Sequence, residues 1–376
     1  MKIACITTSQ IPSTTANSIQ VMKVCQSLEQ NGCQISLWVP GQQATPWKKL
    51  ADHYGVENRF ELHWLRSNRV FRRYDFAWKS VSQAKKWGAE AVYTWTPQAA
   101  LIALRRGLPV IMELHDRPSG KLGPALYRKI FDHPGKKLFL PITLALKQVF
   151  ETEFNLQFKP NEYIIAPDGV DFERYANLPD PSKARTELGI ADRFTAGYTG
   201  HFYEGRGMDL LFDLAKSFPQ VQFLWIGGKP ADVEAWQQKA RAESLDHLVM
   251  TGFVPNVFIP KYQAAAEILL MPYQKFIAGS SGGNTVDICS PMKMFEYMAT
   301  GRAIITSDLP VLREVLDESS ARFCPVDDLD QWHLAIRDLL DQPEKRMQIG
   351  INALGKVEQY SWFNRSKRIM SAFEEV

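Results

Sequence analysis

Two charged side chains interrupt an otherwise apolar helical pattern in "SPMKMFEYMATG" (290–301). Lys293 and Glu296 are three residues apart, so a helix places them on one face. Met292, Met294, Phe295 and Met298 surround them, and burial penalises a charge that lacks a polar partner. One reading is a surface ion pair, contributing about 0.5 kcal/mol. The sharper reading is a ligand that carries both phosphate and hydroxyl groups. Lys293 would meet the phosphate, and Glu296 would accept hydrogen bonds from sugar hydroxyls. Ser290 is read as the helix cap, Pro291 as part of the first turn and Gly301 as the stop.

A second stretch, "YTGHFYEGRGMDLL" (198–211), follows an apolar strand pattern. Gly200 permits a tight turn, His201 and Arg206 flank a short loop, and Gly207 opens a helix. A helix N-terminus beside a glycine and a cation is suited to an anion. The plain alternative is a strand-to-helix turn with a solvated arginine. A third stretch, "ELHDRPSG" (113–120), ends a strand with His115 and Asp116, and "PDGVD" (167–171) reads as a glycine turn. "DDLD" (327–330) offers an acidic pair, but it precedes "QWHLAIRDLL", so Asp327 or Asp328 is expected to cap that helix and not to bind metal.

These residues must be positioned by strands that alternate with helices. "KIACITT", "QISLWVP", "AVYTWT", "PVIMELHD", "KLFLPIT" and "YIIAPDGVD" read as strands in the front half. "SIQVMKVCQSLEQNG" (18–32) reads as an amphipathic helix, with Ile19, Val21, Met22, Cys25 and Leu28 on its stripe. The pattern restarts with "FTAGYTG" (194–200) and runs through "VQFLWIGG", "LVMTGF", "EILLMPY", "AIITSD" and "ARFCPV". Two parallel, doubly wound α/β units in tandem are expected, joined near "NLPDPSKARTELG" (177–189). Ligands of such sheets bind beyond the carboxyl ends of the strands, where the candidate residues lie.

The bulk composition agrees. A chain of 376 residues is long for one core and suits two domains. Its 45% apolar and 23% charged residues are those of a globular protein, with no apolar run near the roughly 18 residues that span a membrane. Five scattered cysteines without CxxC spacing fit a reducing cytoplasm and argue against structural zinc. Residues 1–170 carry 22 Lys and Arg against 13 Asp and Glu, while the remainder carries 22 against 28. The basic front half is suited to an anionic partner. Within it, "HWLRSNRVFRRYDFAWK" (63–79) interleaves Arg66, Arg69, Arg72, Arg73 and Lys79 with aromatic residues. That mixture suits a membrane interface or a lipid-diphosphate acceptor. A helix packing its aromatics inward is the alternative.

Taken together, "SPMKMFEYMATGRAIITSDLPVLREVL", "GHFYEGRGMDLL", "IIAPDGVD" and "ELHD" resemble the retaining family-4 glycosyltransferases of the GT-B fold, in order as well as content, over nearly the whole chain. The resemblance implies two Rossmann-like domains facing across a cleft: an acceptor-binding domain (1–180), a nucleotide-sugar-binding domain (181–360), and a C-terminal helix (361–376) crossing back to the first. It also implies roles. Glu296 matches the second Glu of the family's E-x7-E motif, which holds the donor ribose. Arg206 stands where a Lys usually binds the donor diphosphate, and His201 where an Arg is common. Val254 falls where the backbone meets the base, and His115 matches a His that contacts the transferred sugar. Gly200, Gly227, Ser290, Met292 and Lys293 fall in the donor site. Residues 9–18, with Asn17, occupy the usual glycine-rich first loop. Two departures stand out. Ile288 replaces the first Glu of E-x7-E, and the first loop has Ala16, Asn17 and Ser18 in place of glycines.

The reading that follows is a nucleotide-sugar-dependent hexosyltransferase acting with retention, using no cofactor and no metal. Its partners would be a nucleotide-sugar donor and a glycan, lipid-linked or small-molecule acceptor, with no nucleic acid, in the cytoplasm or peripheral at the inner face of the membrane. The alternatives are a nucleotide-sugar epimerase of the same fold and a non-catalytic nucleotide-sugar-binding partner, the latter suggested by Ile288.

Overall fold

The computed structural model describes residues 1–71, 73–277 and 283–376, with Arg69 by its backbone alone. The chain divides into two compact units, Met1–Asp168 with Trp362–Val376, and Gly169–Ser361. The sequence pattern placed the junction later, at the proline-rich stretch around Asp180. That stretch opens a helix of the second unit, with Asp180 accepting at 2.9 Å from the Lys183 amide.

The first unit runs β1 (Lys2–Ile6), α1 (Ala16–Gln30), β2 (Gln34–Pro40), α2 (Trp47–Tyr54), β3 (Glu61–Leu65), α3 (Tyr74–Trp87), β4 (Ala91–Thr94), α4 (Pro97–Arg105), β5 (Val110–Leu114), α5 (Gly123–Phe131), β6 (Lys137–Pro141) and α6 (Leu144–Thr152). The second runs α7 (Pro181–Leu188), β7 (Thr195–Gly200), α8 (Met208–Ser217), β8 (Gln222–Gly227), α9 (Pro230–Ala242), β9 (Leu248–Met250), α10 (Ile259–Ala264), β10 (Ile268–Met271), α11 (Met292–Ala299), β11 (Ala303–Ser307), β12 (Arg322–Cys324), α12 (Leu329–Asp341) and α13 (Pro343–Val357). The last helix, α14 (Trp362–Glu375), belongs to the first unit.

Each unit has a parallel six-stranded sheet, in the orders β3-β2-β1-β4-β5-β6 and β9-β8-β7-β10-β11-β12. Both are the doubly wound order, with a switch point between the first and fourth strands of the unit. Helices on both faces explain why β5 ("VIMEL") and β10 ("ILLM") are buried along their whole length. Trp225, Phe223, Leu270, Ile305 and Trp332 form the centre of the second core.

Several expectations need correction. Residues 163–171 are not a strand. Ile164 and Ala166 donate to the carbonyls of Phe139 and Pro141 beside β6, but the pairing amounts to an isolated bridge at Tyr163 and goes no further. The 63–79 stretch is not one helix: β3 ends at Leu65, a 3-10 turn spans Arg69–Phe71, and α3 begins at Tyr74. Arg72 and the side chain of Arg69 lie outside the described residues. Helix α1 is buried on nearly every face and not on one stripe, because α14 packs on it. Asn31 donates to the Phe363 carbonyl at 3.1 Å, and the hydroxyls of Ser27 and Ser366 meet. Asp328 does cap α12, accepting at 3.1 Å from the Gln331 amide.

Candidate functional site

In the second unit the switch point between β7 and β10 collects the candidate cations. β7 ends at Gly200, paired in register with Gly227 at the end of β8. Both have left-handed backbones, φ 144° and 114°. A Cβ on Gly200 would lie 2.7 Å from the Lys293 Nζ, and one on Gly227 would lie 2.3 Å from the Gly200 carbonyl oxygen. Only glycine lets these two strand ends and the lysine approach so closely. The loop after Gly200 reaches Gly207, the left-handed N-cap of α8, which has no side chain to cap the first amides.

Lys293 comes from the first turn of α11. Its Nζ is sealed from solvent and, among the described residues, has no hydrogen-bond partner. It lies 4.1 Å from the centre of the Tyr198 ring and 5.6 Å from that of Tyr273. The Tyr273 ring is shared by Arg206, whose guanidinium carbon is 5.1 Å away and whose Nη2 donates to the Tyr203 hydroxyl at 2.6 Å. Cation–π contacts give each charge partial compensation, and among the described residues no carboxylate is hydrogen-bonded to Lys293. Burial pushes its ammonium well below the ordinary lysine range, the Arg206 charge adds to this, and Glu296 only partly offsets them. Burial, Arg206, Lys293 and Lys229 likewise lower His201, whose ring stacks on Tyr203. The pocket is electropositive.

Glu296 lies one turn further along α11. It makes no ion pair with Lys293 among the described residues; Gln263 Nε2 donates to its Oε2 at 3.1 Å instead. The Tyr175 hydroxyl in turn donates to Gln263 Oε1 at 3.0 Å, which orients the amide toward the carboxylate. Burial raises the Glu296 carboxyl, against the Gln263 hydrogen bond and the charges of Arg174 and Lys293. Ser290 is not the helix cap, as the sequence suggested. Pro291 holds that position with an extended backbone, so the start of α11 has no side-chain cap. Ser290 is buried and Met292 half-buried; Val254 packs into a small core with Leu224, Ile226 and Ile259. Ile288 is fully buried, an apolar residue in place of the family's first Glu. Part of the loop before it lies outside the described residues.

The first unit holds His115, just beyond β5. Its Nε2 is 2.6 Å from Oε2 of Glu113, a carboxylate buried within β5. Glu113 is forked by Arg365 of α14, with Nη1 to Oε1 at 2.9 Å and Nη2 to Oε2 at 3.0 Å. Gln20 of α1 donates to Oε2 at 3.1 Å, and the Tyr93 hydroxyl donates to Oε1. Burial alone would raise this carboxyl, but Arg365 and His115 outweigh it and hold it at about 2. Burial pushes Asp168, in the same group, up to about 6 against the charges of His115 and Arg365. Asn17 is exposed at the start of α1 and accepts from the Ser9 hydroxyl. The polar first loop is pinned by Tyr54, whose hydroxyl accepts from the Ser13 amide at 2.7 Å, and by Trp64, whose Nε1 donates to the Ile11 carbonyl at 2.9 Å. A cavity of about 820 Å³, lined by Glu29, Trp47, Leu50, Arg59, Phe60 and Trp64 among others, shares no residue with either charged cluster.

The sequence pattern did not point to Glu113, Arg365, Gln263, Tyr198 or Tyr273. A glutamate inside the apolar run "VIMEL" was a signal for the first. The cation that neutralises it is 252 residues away, where no local pattern points to it.

Residues 193–342 match the model of the family described as Glycosyl transferases group 1. A phosphatidyl-myo-inositol mannosyltransferase of Mycolicibacterium smegmatis is 24% identical over 374 residues, covering 95% of this chain and 89% of the relative. Among solved structures, Anabaena Alr3699/HepE in complex with UDP superposes with TM-score 0.76 at 16% identity over the full length of both chains. A glycosyltransferase from Rickettsia africae does so with TM-score 0.78 at 12% identity, over 100% of this chain and 98% of that one.

Proposed function

We propose that in this glycosyltransferase of the GT-B fold, whose residues 193–342 match the group 1 glycosyl transferases, the second unit binds a nucleotide-diphosphate sugar with the diphosphate against Lys293 and Arg206. The observation that carries this is the Lys293 ammonium, sealed from solvent and without a hydrogen-bond partner among the described residues, beside a second cation in the loop after β7. Two cations held together at low dielectric repel each other until an anion neutralises them. A diphosphate carries that charge, and the uncapped starts of α8 and α11 offer further amides. Glu296 Oε2 is held by Gln263, and the carboxylate accepts from ribose hydroxyls. The UDP bound by the Anabaena protein supports a nucleotide donor.

In the reaction the bond between the anomeric carbon and the diphosphate oxygen breaks, and negative charge grows on the leaving diphosphate. Arg206 and Lys293 meet that charge, so they act most strongly in the transition state. An acceptor hydroxyl forms the new bond on the face the diphosphate leaves, giving retention, and its proton passes to the departing phosphate oxygen. No protein nucleophile and no metal is required. Gly200, His201, Gly227, Val254, Ser290 and Met292 line the donor site.

The acceptor is proposed to be lipid-linked, as the names of the mannosyltransferase relatives suggest. Val70, Phe71, Tyr74 and Trp78 are exposed around the start of α3, with Arg66, Arg73 and Lys79 in the same segment. Such a surface suits peripheral contact with anionic lipid. No helix among the described residues is long and apolar enough to cross a membrane. The test is turnover of UDP-glucose and GDP-mannose with extracted lipid acceptors, with the anomeric configuration of the product read by NMR. An α-linked product from an α-linked donor without added divalent metal is expected. A β-linked product, or no turnover of any sugar nucleotide in a wider panel, contradicts the proposal.

A further inference from the structure

The cavity of about 820 Å³ in the first unit belongs to neither charged cluster. Its volume falls within the roughly 300–1,000 Å³ of small-molecule pockets. It lies beside the outer strands of the sheet, with Ile35 near the start of β2 and Glu61 at the start of β3. Ligands of doubly wound sheets usually meet the carboxyl ends instead. Ile35, Leu50 and Phe60 give its wall buried apolar side chains. Two half-buried tryptophans stand beside them. Trp47, the first residue of α2, is set edge-on to the Phe60 ring, with 5.0 Å between centres and 81° between planes. Trp64 is fixed by its Nε1 donation to the Ile11 carbonyl at 2.9 Å and by Gly41, where a Cβ would lie 2.5 Å from the indole. Three charged side chains share the wall. Glu29 Oε2 is sealed from solvent and, among the described residues, has no hydrogen-bond partner. Arg59 is exposed and has no ion-pair partner among the described residues. Glu61 is exposed, 3.4 Å from His63 Nε2.

We propose that this cavity is a saccharide-binding site, separate from the donor site and sharing no residue with it. A pyranose ring carries both kinds of surface that the wall offers. Its C–H face packs on an aromatic ring, whose face is electron-rich. Its hydroxyls donate to carboxylates and accept from a guanidinium, so Glu29 and Glu61 accept and Arg59 donates. An acceptor sealed from water without a donor is unfavourable until one is supplied. Glu29 is part of the wall, so a hydroxyl bound in the cavity is within its reach once the carboxylate turns toward it. Other ligand classes fit less well. An acyl chain would set hydrocarbon against three charged side chains and leave them without partners. A phosphate would meet two carboxylates against one guanidinium. A neutral, hydroxyl-rich ring meets neither penalty. Both tryptophans are held in place before any ligand arrives, so binding orders little that is not already ordered. Nothing in this site depends on what the second unit binds.

The experiment is an NMR titration of the full chain with maltose, α-1,6-mannobiose, cellobiose and chitobiose, read on the indole N–H signals of its ten tryptophans. The signals of Trp47 and Trp64 are assigned by their loss in Trp47→Phe and Trp64→Phe. At least one disaccharide should shift both signals saturably. The shifts should persist with saturating UDP or GDP and in Lys293→Met, because the donor site takes no part. Glu29→Gln keeps the size of the side chain and removes its charge. It should weaken binding of that disaccharide about ten-fold or more, the loss of one charged hydrogen bond. Its melting temperature should hold, since Glu29 Oε2 has no hydrogen-bond partner among the described residues to lose. No movement of either signal with any of the four sugars overturns the proposal. So does binding that Glu29→Gln leaves unchanged, or that UDP or GDP abolishes. Movement with laurate or inorganic phosphate but with no sugar gives the cavity to another ligand class and overturns it as well. Should a tryptophan variant fail to fold, saturation-transfer difference spectra of the four sugars with the wild type and Glu29→Gln decide. Absence of any sugar-nucleotide turnover would instead remove the donor reading and leave this result intact.

Discussion

Each unit of this protein buries a strong cation near the carboxyl ends of its strands, and the two cations are treated in opposite ways. Arg365 in the first unit is matched by Glu113 in a two-pronged ion pair, with every prong satisfied. Lys293 in the second unit has aromatic rings, another cation and, among the described residues, no hydrogen-bond acceptor. A buried charge with a complete set of partners is neutralised by the chain itself. A buried charge without one raises the free energy of the empty protein until something else supplies the counter-charge. On the proposed function, the contrast separates a group neutralised within the fold from a group whose counter-charge is the donor's diphosphate.

Mutations should therefore move the two units in opposite directions. The largest effect is expected from Glu113→Ala, which strands a buried guanidinium. Breaking such a pair costs about 3–5 kcal/mol, visible in urea unfolding of the first unit. A loss under about 1 kcal/mol would mean that water reaches the pair and that its geometry matters little. Because the Glu113 carboxyl is held at about 2, its stabilisation is present above the ordinary carboxyl range near 4.5 and fades as pH falls from there toward 2. Glu113→Gln should lose that acid limb.

Glu296→Gln comes next. It keeps the volume and one acceptor but loses the charge, so donor affinity should drop by about ten- to a hundred-fold, the value of one charged hydrogen bond. The apo melting temperature should hardly change, since among the described residues Glu296 has no ion-pair partner. Calorimetric titration and a melting curve on the same preparation separate this from a structural role, which would give the reverse pattern.

The smallest effect has the most informative sign. Lys293→Met removes a charge that the folded chain disfavours, so the apo second unit should become slightly more stable, by about 1 kcal/mol or more at pH 7. The ammonium titrates below its unfolded range near 10.4, so the unfolded chain binds the extra proton over that interval. Wild-type stability then rises with pH across it, and the advantage of Lys293→Met narrows as pH approaches 10.4. Melting curves of both proteins at several pH values between about 7 and 10 check this. Destabilisation of the variant at every pH would mean that Lys293 serves the fold.

Much of this was legible in the sequence because it is local. The alternation of apolar runs and helices gave both sheets, and "SPMKMFEYMATG" showed Lys293 and Glu296 on one face of α11. Gly200 and Gly207 marked the turn that carries His201 and Arg206. The unread parts depend on distance along the chain. Nothing near Glu113 announces Arg365, and nothing near Glu296 announces Gln263 or Tyr175. Helix α1 looked one-sided because α14, which covers its other face, is more than 300 residues away. The cap of α11 was misread by one residue because Ser290 and Pro291 are both acceptable at a helix start, and the chain's path into the helix decides between them.

The central claim is that Lys293 is left without a partner for the diphosphate of a donor nucleotide. Calorimetric titration of UDP and GDP, without added metal, into the wild type and Lys293→Met tests it most directly. The account predicts that at least one nucleotide binds the wild type and binds the variant about ten- to a hundred-fold more weakly, while the variant's melting temperature is equal or higher. Equal affinity of the two proteins for every nucleotide that binds would contradict it.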